Sequence, residues 1–346
     1  TAASTTSKFT TSQDVLSGGN GNDVFNGVVI AQGGTGTTIA PGDSVDGKAG
    51  TDTIQISIAG SNGAGGAAHT LSAVTTDNVE KLVLSNFETT ADNNIIETTL
   101  MTGLTTVGLS ASSATGDTEF SKLKNFVAAE MRNGSADLTV TYDGLQVVTG
   151  SADSQDLTLA AQTAGTFTVA GVETVNIKSE LSKNTLTALT AANLTTLNIT
   201  GDADLVITDV SGYKGTPANG TDIDATIDAS AFTGKFTSDL GNEAATLDIK
   251  GGTNDDVITL GATLTKNDKI DGGAGTDRVE ITGASVGAAL KITDRTLTNV
   301  ETLRAQSSAG TAFSIDADGD TVTRYEHVEN ANDGIAASIS NILAFI

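Results

Sequence analysis

The chain contains no cysteine and no tryptophan, and its 346 residues include only two histidines and two prolines. The lack of cysteine excludes disulfide bonds and thiol catalysis. The histidines, His69 and His327, are far apart and neither belongs to an H-E-x-x-H motif, which excludes a zinc protease of that type. So little proline also argues against a disordered linker protein.

Positive charge and long apolar runs are scarce as well. Lys and Arg number 18 against 42 Asp and Glu, which gives a net charge of −24. Such an acidic surface excludes nucleic acid as a natural partner and discourages binding to anionic membranes. Because no run of about 18 apolar residues exists, the sequence predicts no membrane insertion.

The residues that are abundant favour short stacked strands. Glycine, alanine, serine and threonine dominate, whereas aromatic residues make up 4%. Segments that alternate apolar and polar residues begin mostly at intervals of roughly 15–25 residues. A parallel β-helix explains this spacing best, and an antiparallel sandwich is the alternative. The predicted strands cover 81–85, 105–110, 125–130, 137–143, 156–162, 173–179, 195–201, 223–229 and 245–251.

Little helix is expected. The segment 118–133 fits either one short amphipathic helix or a rung with an irregular loop. A weak repeat built on Val-Glu recurs at 78–84, 171–177 and 299–305, with a looser copy at 327–333. Such repeats indicate units that stack on their neighbours. The predicted fold class is therefore all-β, a parallel β-solenoid of the β-helix or β-roll type.

Four nonapeptides follow the pattern G-G-x-G-x-D-x-U-x, in which U is a large apolar residue. GGNGNDVFN at 18–26 and GGAGTDRVE at 272–280 are close copies, and GKAGTDTIQ at 47–55 and GGTNDDVIT at 251–259 are degraded ones. Glycines let the backbone turn tightly with inward carbonyls, the aspartate adds a carboxylate, and U lies on the inward face of a strand. The pattern predicts calcium-binding turns, because Ca²⁺ takes six to eight oxygens at about 2.3–2.6 Å.

A second aspartate precedes most of the motif aspartates by nine residues. One turn cannot supply all the ligands of Ca²⁺, so we expect adjacent turns to share an ion. The fourth motif aspartate, Asp256, has Leu247 at the partner position. Its additional ligand would have to come from Asp248, Asp255 or elsewhere. The pairs are Asp14 with Asp23, Asp43 with Asp52, and Asp268 with Asp277.

No motif supports catalysis, and we predict that the chain is not an enzyme. G-A-S-V-G at 283–287 matches a nucleophile elbow around Ser285, but an elbow requires an α/β sheet and this region is of the glycine and aspartate repeat type. Carboxylate pairs for glycoside cleavage are common in β-helices, and nothing singles one out here. The D-x-D-G-D run at 316–320 does not match an EF-hand, which leaves an irregular calcium site or a solvated acidic turn.

The nonapeptides resemble those of the RTX (repeats-in-toxin) family, and the Thr/Ala-rich rungs with N-V-E-x-L segments resemble the RTX surface-layer proteins of Gram-negative bacteria. The resemblance implies type I secretion, calcium-driven folding outside the cell, and calcium-dependent self-assembly into a surface layer or filament. The long tandem arrays usual in RTX toxins are missing, which favours a structural protein. The alternatives are an adhesin or matrix protein that binds cells or glycans, such as cell-surface polysaccharide, and a β-helix enzyme that cleaves polysaccharide.

The resemblance also implies a set of calcium ligands, although Lys48 and Asn254 replace glycines of the family pattern. By repeat content the chain divides into an RTX block at 1–60, β-helix rungs at 61–245, and a second RTX block with a terminal cap at 246–346. The implied ligands are the carboxylates of Asp14, Asp23, Asp43, Asp52, Asp256, Asp268 and Asp277, and the backbone carbonyls of Gly18, Asn20, Gly47, Ala49, Gly251, Thr253, Gly272 and Ala274.

Overall fold

Regular structure in this protein consists of β-strands. In the residues that the structure describes there is no helix, and so none that is long and apolar enough to cross a membrane. The chain divides into two compact units, Thr1–Val172 and Glu173–Ile346. The computed structural model describes residues 3–30, 35–60, 70–72, 74–89, 94–144, 148, 150–214, 223–241, 245–261, 263–265, 267–282, 290–291, 297–306, 314–316, 322–328 and 338–340.

The first unit contains fifteen described strands, and every pairing described among them is parallel. They are β1 Thr6–Lys8, β2 Val15–Ser17, β3 Val24–Ile30, β4 Ser44–Asp46, β5 Thr53–Ala59, β6 Thr70–Ser72, β7 Thr75–Asp77, β8 Lys81–Asn86, β9 Asn94–Glu97, β10 Thr106–Ser110, β11 Thr118–Leu123, β12 Ala128–Arg132, β13 Leu138–Tyr142, β14 Ser154–Ala160 and β15 Thr166–Ala170. The main sheet has the order β1-β3-β5-β8-β10-β12-β14, the second β6-β9-β11-β13-β15, and the third β2-β4-β7.

The second unit repeats this arrangement, again with parallel pairing throughout the described strands. The strands are β16 Thr174–Glu180, β17 Asn184–Leu186, β18 Ala188–Leu194, β19 Thr196–Gly201, β20 Leu205–Ile207, β21 Val210–Tyr213, β22 Ala225–Asp228, β23 Phe236–Asp239, β24 Leu247–Lys250, β25 Val257–Gly261, β26 Lys269–Asp271, β27 Arg278–Thr282, β28 Leu290–Lys291, β29 Leu297–Thr298, β30 Thr302–Gln306, β31 Ser314–Asp316, β32 Arg324–Val328 and β33 Ser338–Ser340. Its sheets are β16-β19-β22-β24-β26-β29, β17-β20-β23-β25-β27-β30-β32, β18-β21 and β28-β31-β33.

The core of each unit is a column of aligned apolar side chains. Successive strands of a main sheet place one inward residue directly over the next, and each such residue is at most 1% exposed. Parallel in-register stacking therefore converts a short apolar motif into a continuous core, as expected of a solenoid. The columns are Phe25, Ile54, Leu82, Val107, Ala129 and Leu157 in the first unit, and Val175, Leu197, Ile227, Ile249, Ile270 and Leu297 in the second.

The prediction of an all-β parallel solenoid is confirmed, and the antiparallel sandwich is wrong because the described pairings are parallel. Each of the nine predicted segments overlaps a strand. The ambiguous segment 118–133 forms two strands, β11 and β12, and no helix. The boundary between the units falls inside the middle segment that was predicted from repeat content at 61–245. That three-part division stays a prediction.

Candidate metal centre in the glycine-rich turns

Each nonapeptide begins with a turn that connects two strands, and the turns stack in pairs. Backbone hydrogen bonds join neighbouring levels of the stack: Gly18 N–H donates to the Asp46 carbonyl at 2.8 Å, and Gly251 N–H donates to the Asp271 carbonyl at 2.7 Å. Below each pair lies a third turn, built by an N-V-E segment. We name these levels the first turn (18–23 and 251–256), the second turn (47–52 and 272–277) and the closing turn (78–80 and 299–301).

In the first unit the carboxylates of these turns form a ladder along the stack. Asp23 Oδ1 accepts the Thr5 N–H at 2.5 Å and the Thr5 hydroxyl at 2.7 Å. Asp52 Oδ1 accepts the Asp23 N–H at 2.7 Å, and Glu80 Oε2 accepts the Asp52 N–H at 2.7 Å. Each carboxylate therefore satisfies the amide at the start of the strand in the preceding rung.

The second unit contains the same ladder. Asp256 Oδ1 accepts the Phe236 N–H, Asp277 Oδ1 accepts the Asp256 N–H, and Glu301 Oε2 accepts the Asp277 N–H, each at 2.7 Å. The four motif aspartates are at most 2% exposed. Two separate segments of the chain thus build the same local arrangement.

The Oδ2 atoms of these aspartates have hydrogen-bond partners in the first turns but not in the second turns. Asp23 Oδ2 accepts the Gly19 N–H, and Asp256 Oδ2 accepts the Gly252 N–H, both at 2.6 Å. Within the described part of the chain, by contrast, Asp52 Oδ2 and Asp277 Oδ2 are buried without a hydrogen-bond partner. A buried carboxylate oxygen in this state is destabilising unless a proton or a cation compensates it.

Oδ2 has no partner in the second turns because the amide that would correspond to that of Gly19 or Gly252 donates to a different aspartate. The Lys48 N–H donates to Asp46 Oδ1, and the Gly273 N–H donates to Asp271 Oδ1, both at 3.1 Å. Both residues adopt left-handed backbone conformations, with φ of 73° at Lys48 and 90° at Gly273. The replacement of glycine by Lys48 in the nonapeptide therefore preserves the turn, at the cost of a strained φ for a residue with a Cβ.

The glycines at the head of the second turns face a cradle of oxygen atoms. A Cβ on Gly47 would lie 2.0 Å from the Asn78 carbonyl oxygen and 2.4 Å from Asp52 Oδ2. A Cβ on Gly272 would lie 2.0 Å from the Asn299 carbonyl oxygen and 2.7 Å from Asp277 Oδ2. Carboxylate and carbonyl oxygens that converge in this way are the hard donors that Ca²⁺ prefers, so the donor set fits that ion.

The heads of the first turns are built alike. A Cβ on Gly18 would lie 2.4 Å from both Asp23 Oδ2 and the Gly47 carbonyl oxygen. A Cβ on Gly251 would lie 2.1 Å from the Gly272 carbonyl oxygen and 2.8 Å from Asp256 Oδ2. Of the predicted carbonyl ligands, Gly47 and Gly272 therefore do approach a motif carboxylate.

The other predicted backbone positions have structural contacts. The Ala49 and Ala274 amides donate to the carbonyls of Gly19 and Gly252 at 3.2 and 3.0 Å. The Thr253 N–H donates to the Phe232 carbonyl at 3.2 Å, and Asn20 is exposed at the tip of its turn. These contacts hold one turn on the next, and they leave the predicted role of the Asn20, Ala49, Thr253 and Ala274 carbonyls a prediction.

Among the four motif aspartates only Asp23 has a lowered pKa, because burial raises the pKa of Asp256 as it does the pKa values of the two second-turn aspartates. Burial raises the pKa of Asp52, and burial together with the nearby charges of Asp256 and Glu301 raises the pKa of Asp277 to about 7. At Asp23 the hydrogen bond from the Gly19 amide, followed by those from Thr5, lowers the pKa. In the described residues no Lys, Arg or His forms a salt bridge with a ladder carboxylate.

The aspartates that precede the motifs occupy a different column. Asp14, Asp43 and Asp268 lead into β2, β4 and β26, at the opposite ends of these strands from the nonapeptide turns. Asp43 accepts the Asp14 N–H at 2.9 Å and the Ala40 N–H at 2.7 Å. Stacking thus brings Asp14 to Asp43 and Asp23 to Asp52, rather than joining the members of a nine-residue pair.

Asp268 is satisfied in the same manner as Asp43. Its carboxylate accepts the Leu247 N–H at 2.8 Å and the Thr265 N–H at 2.6 Å. Asp255, proposed as an extra ligand beside Asp256, accepts the Thr276 N–H at 2.7 Å. Among the described residues no three His, Cys, Asp or Glu side chains gather around one point, so a metal centre here has to use backbone oxygens as well.

The closing turns contain the residues that sequence reasoning missed. Asn78 and Glu80 lie below the second turn of the first unit, and Asn299 and Glu301 occupy the same place in the second. The available signal was that two of the Val-Glu repeats carry asparagine and follow a nonapeptide rung directly. Ser285, Asp318, Asp320 and His69 lie outside the described residues.

Comparisons with known proteins return no match. No protein-family model matches the chain, and neither curated proteins nor solved structures include one that is similar to it. The resemblance to RTX proteins rests on the motifs themselves.

Proposed function

We propose that this protein is a secreted, calcium-binding structural protein that self-assembles at the cell surface into an array, either a surface layer or a filament. The observation that carries the proposal is the pair of buried carboxylate ladders, in which Asp52 Oδ2 and Asp277 Oδ2 face glycine-lined cradles without a protein partner. The nonapeptide motifs, which resemble those of RTX proteins exported by type I secretion, support the same interpretation.

Calcium would act on folding through these ladders. Without the ion, buried carboxylates stack one above another with no salt bridge to any of them in the described part of the chain, and their desolvation opposes folding. Ca²⁺ that binds to the folded state alone stabilises it in proportion to the logarithm of the ion concentration. Low calcium inside the cell then keeps the chain unfolded for export, and millimolar calcium outside orders the turns.

Calcium would also act on assembly. A chain with a net charge of −24 repels copies of itself. Bound cations reduce this repulsion, and solenoids present edge strands such as β1 that accept further parallel strands. Folding and self-association are therefore expected to depend on the same ion.

The test is negative-stain microscopy of the purified chain with millimolar calcium and again with excess chelator. Sheets or filaments that form with calcium and dissolve in chelator are expected. The Asp52→Asn/Asp277→Asn variant should need more calcium for assembly. Asp143→Asn/Asp202→Asn is the matched control, because it removes one exposed carboxylate from each unit. Folded monomers of the unaltered chain in both conditions would refute the proposal and direct attention to glycan binding and polysaccharide cleavage.

A further inference from the structure

We propose that each closing turn completes a site for a hard divalent cation, with calcium as the expected ion. In the first unit the ligands are Asp52 Oδ2, the Asn78 carbonyl oxygen and the Glu80 carboxylate. In the second they are Asp277 Oδ2, the Asn299 carbonyl oxygen and the Glu301 carboxylate. The inference rests on the proposed function for the identity of the ion, and it assigns N-V-E residues that the nonapeptide pattern does not include.

The two closing turns make equivalent contacts. The Asn78 side-chain amide donates to Asp46 Oδ1 at 3.0 Å, and that of Asn299 donates to Asp271 Oδ1 at 2.7 Å. Both asparagines are left-handed, with φ of 52° and 50°. The valines that follow them are fully buried. Each asparagine is thus locked so that its carbonyl oxygen faces the second turn above it.

Each second turn contains a buried carboxylate oxygen without a hydrogen-bond partner in the described part of the chain. Asp52 and Asp277 are 0% and 2% exposed, and in both the oxygen without a partner is Oδ2. The other oxygen, Oδ1, is held by the amide of the preceding rung, so the carboxylate cannot rotate without breaking that bond. Both side chains therefore aim one free oxygen at the cradle between the second and closing turns.

The Val-Glu segment at 171–177 has no nonapeptide turn before it and so serves as a comparison. The Glu80, Glu173 and Glu301 carbonyls each accept two consecutive amides of the next rung, at 2.8–3.1 Å. This backbone role is shared by all three. The side chains differ in their cation, because Glu173 Oε1 lies 3.9 Å from Lys214 Nζ whereas no salt bridge to Glu80 or Glu301 occurs among the described residues. Glu80 and Glu301 accept the amide of a buried aspartate.

The difference assigns two roles to one motif. As a backbone element, Val-Glu starts the next strand of the solenoid in all three places. As a side chain, the glutamate faces a lysine where no nonapeptide precedes it, and faces a second buried carboxylate where one does. The aspartate Oδ2 and the asparagine carbonyl oxygen converge on the same glycine, and the glutamate carboxylate bonds the backbone amide of that aspartate. With no salt bridge to these carboxylates among the described residues, they form a donor set suited to Ca²⁺, with water completing the shell.

The test is isothermal titration of the full chain with calcium chloride. Glu→Gln variants retain an acceptor for the Asp52 or Asp277 amide, so the fold is expected to survive, and circular dichroism checks that it does. Glu80→Gln and Glu301→Gln should each lower the affinity for one calcium ion by about tenfold or more, since charge on the ligands sets calcium affinity. The double variant should lower the affinity for two ions. Glu173→Gln is the matched control and should titrate as the unaltered chain does.

A second readout separates ligation from structural support. Europium replaces calcium, and its luminescence lifetime counts the water molecules on the ion. Glu80→Gln and Asp52→Asn should each increase that count, and Asp52→Asn keeps the test decisive if Glu80→Gln does not fold.

Titrations and lifetimes of the Glu80→Gln/Glu301→Gln variant identical to those of the unaltered chain would overturn this inference while calcium binding at the first turns stands. An unaltered chain that takes up no calcium would instead refute the proposed function, and this inference with it.

Discussion

The cradle at Gly47 can be tested by filling it with a methyl group. Gly47→Ala places a Cβ 2.0 Å from a backbone carbonyl oxygen of the next rung and 2.4 Å from a buried carboxylate oxygen. Carbon and oxygen do not approach so closely, so the second and closing turns must separate by about 1 Å, an overpacking that costs about 1–3 kcal/mol. Gly47 is not left-handed, so backbone strain adds nothing. Alanine also restricts the unfolded chain, which offsets about 0.4–1 kcal/mol of this loss in unfolding free energy.

Gly19→Ala is the matched control, because the nearest atom to its new Cβ is Asp23 Oδ2 at 3.9 Å, an ordinary contact. We expect Gly19→Ala to be neutral or stabilising by up to about 1 kcal/mol. Gly272→Ala should reproduce the Gly47→Ala loss in the second unit, where the closest carbonyl oxygen is again 2.0 Å away. The assay is urea and thermal unfolding at one fixed millimolar calcium concentration, monitored by circular dichroism. Equal stability of Gly47→Ala and Gly19→Ala would show that the turns are not stacked as described.

Two further predictions concern pH and the core. In chelator the protonated form of Asp277 stabilises the fold fully below the unfolded pKa of 3.8, and this stabilisation is lost as pH rises through about 7. The unfolding free energy of the unaltered chain should fall across that pH window, and that of Asp277→Asn should depend less on pH. An unaltered chain whose unfolding free energy does not change with pH would contradict the raised pKa of Asp277. Leu82→Ala, at a residue 0% exposed in the apolar column, should cost about 2–5 kcal/mol. Val15→Ala, at a residue 82% exposed, should change the unfolding free energy by less than about 0.5 kcal/mol, and equal losses would refute the column.

The strands that could be predicted are those long enough to show alternation of apolar and polar residues. β16 has seven residues and begins with the alternating run Thr-Val-Asn-Ile-Lys, which is enough for a period of two to be recognised. β17 and β20 have three residues each and show no such period. They are strands because parallel neighbours supply hydrogen bonds, β20 to β17 and both β17 and β23 to β20. This is a tertiary cause that short sequence windows do not contain.

The site was predicted in part for a related reason. The motif aspartates and their glycines were recognisable, because their chemistry is local. Which aspartates meet depends on the length of each rung, and that length varies. Asp23 and Asp52 are 29 residues apart, whereas Asp256 and Asp277 are 21 apart. The spacing of nine residues within a pair spans one strand and one turn, so it connects two columns and not two ligands of one ladder.

The carboxylate ladders also impose a direction on folding. The Asp23 amide has no protein acceptor until Asp52 is in place, and the Asp52 amide has none until Glu80 is in place. A stack that grows from the N-terminal side therefore always ends in a strand-leading amide that still lacks its acceptor. A stack that grows backwards from the closing turn pairs each amide at the moment its strand docks. Docking should thus begin at Glu80 and Glu301 and proceed toward the N-terminal end of each ladder, so that the rungs of a ladder that are translated last are completed first.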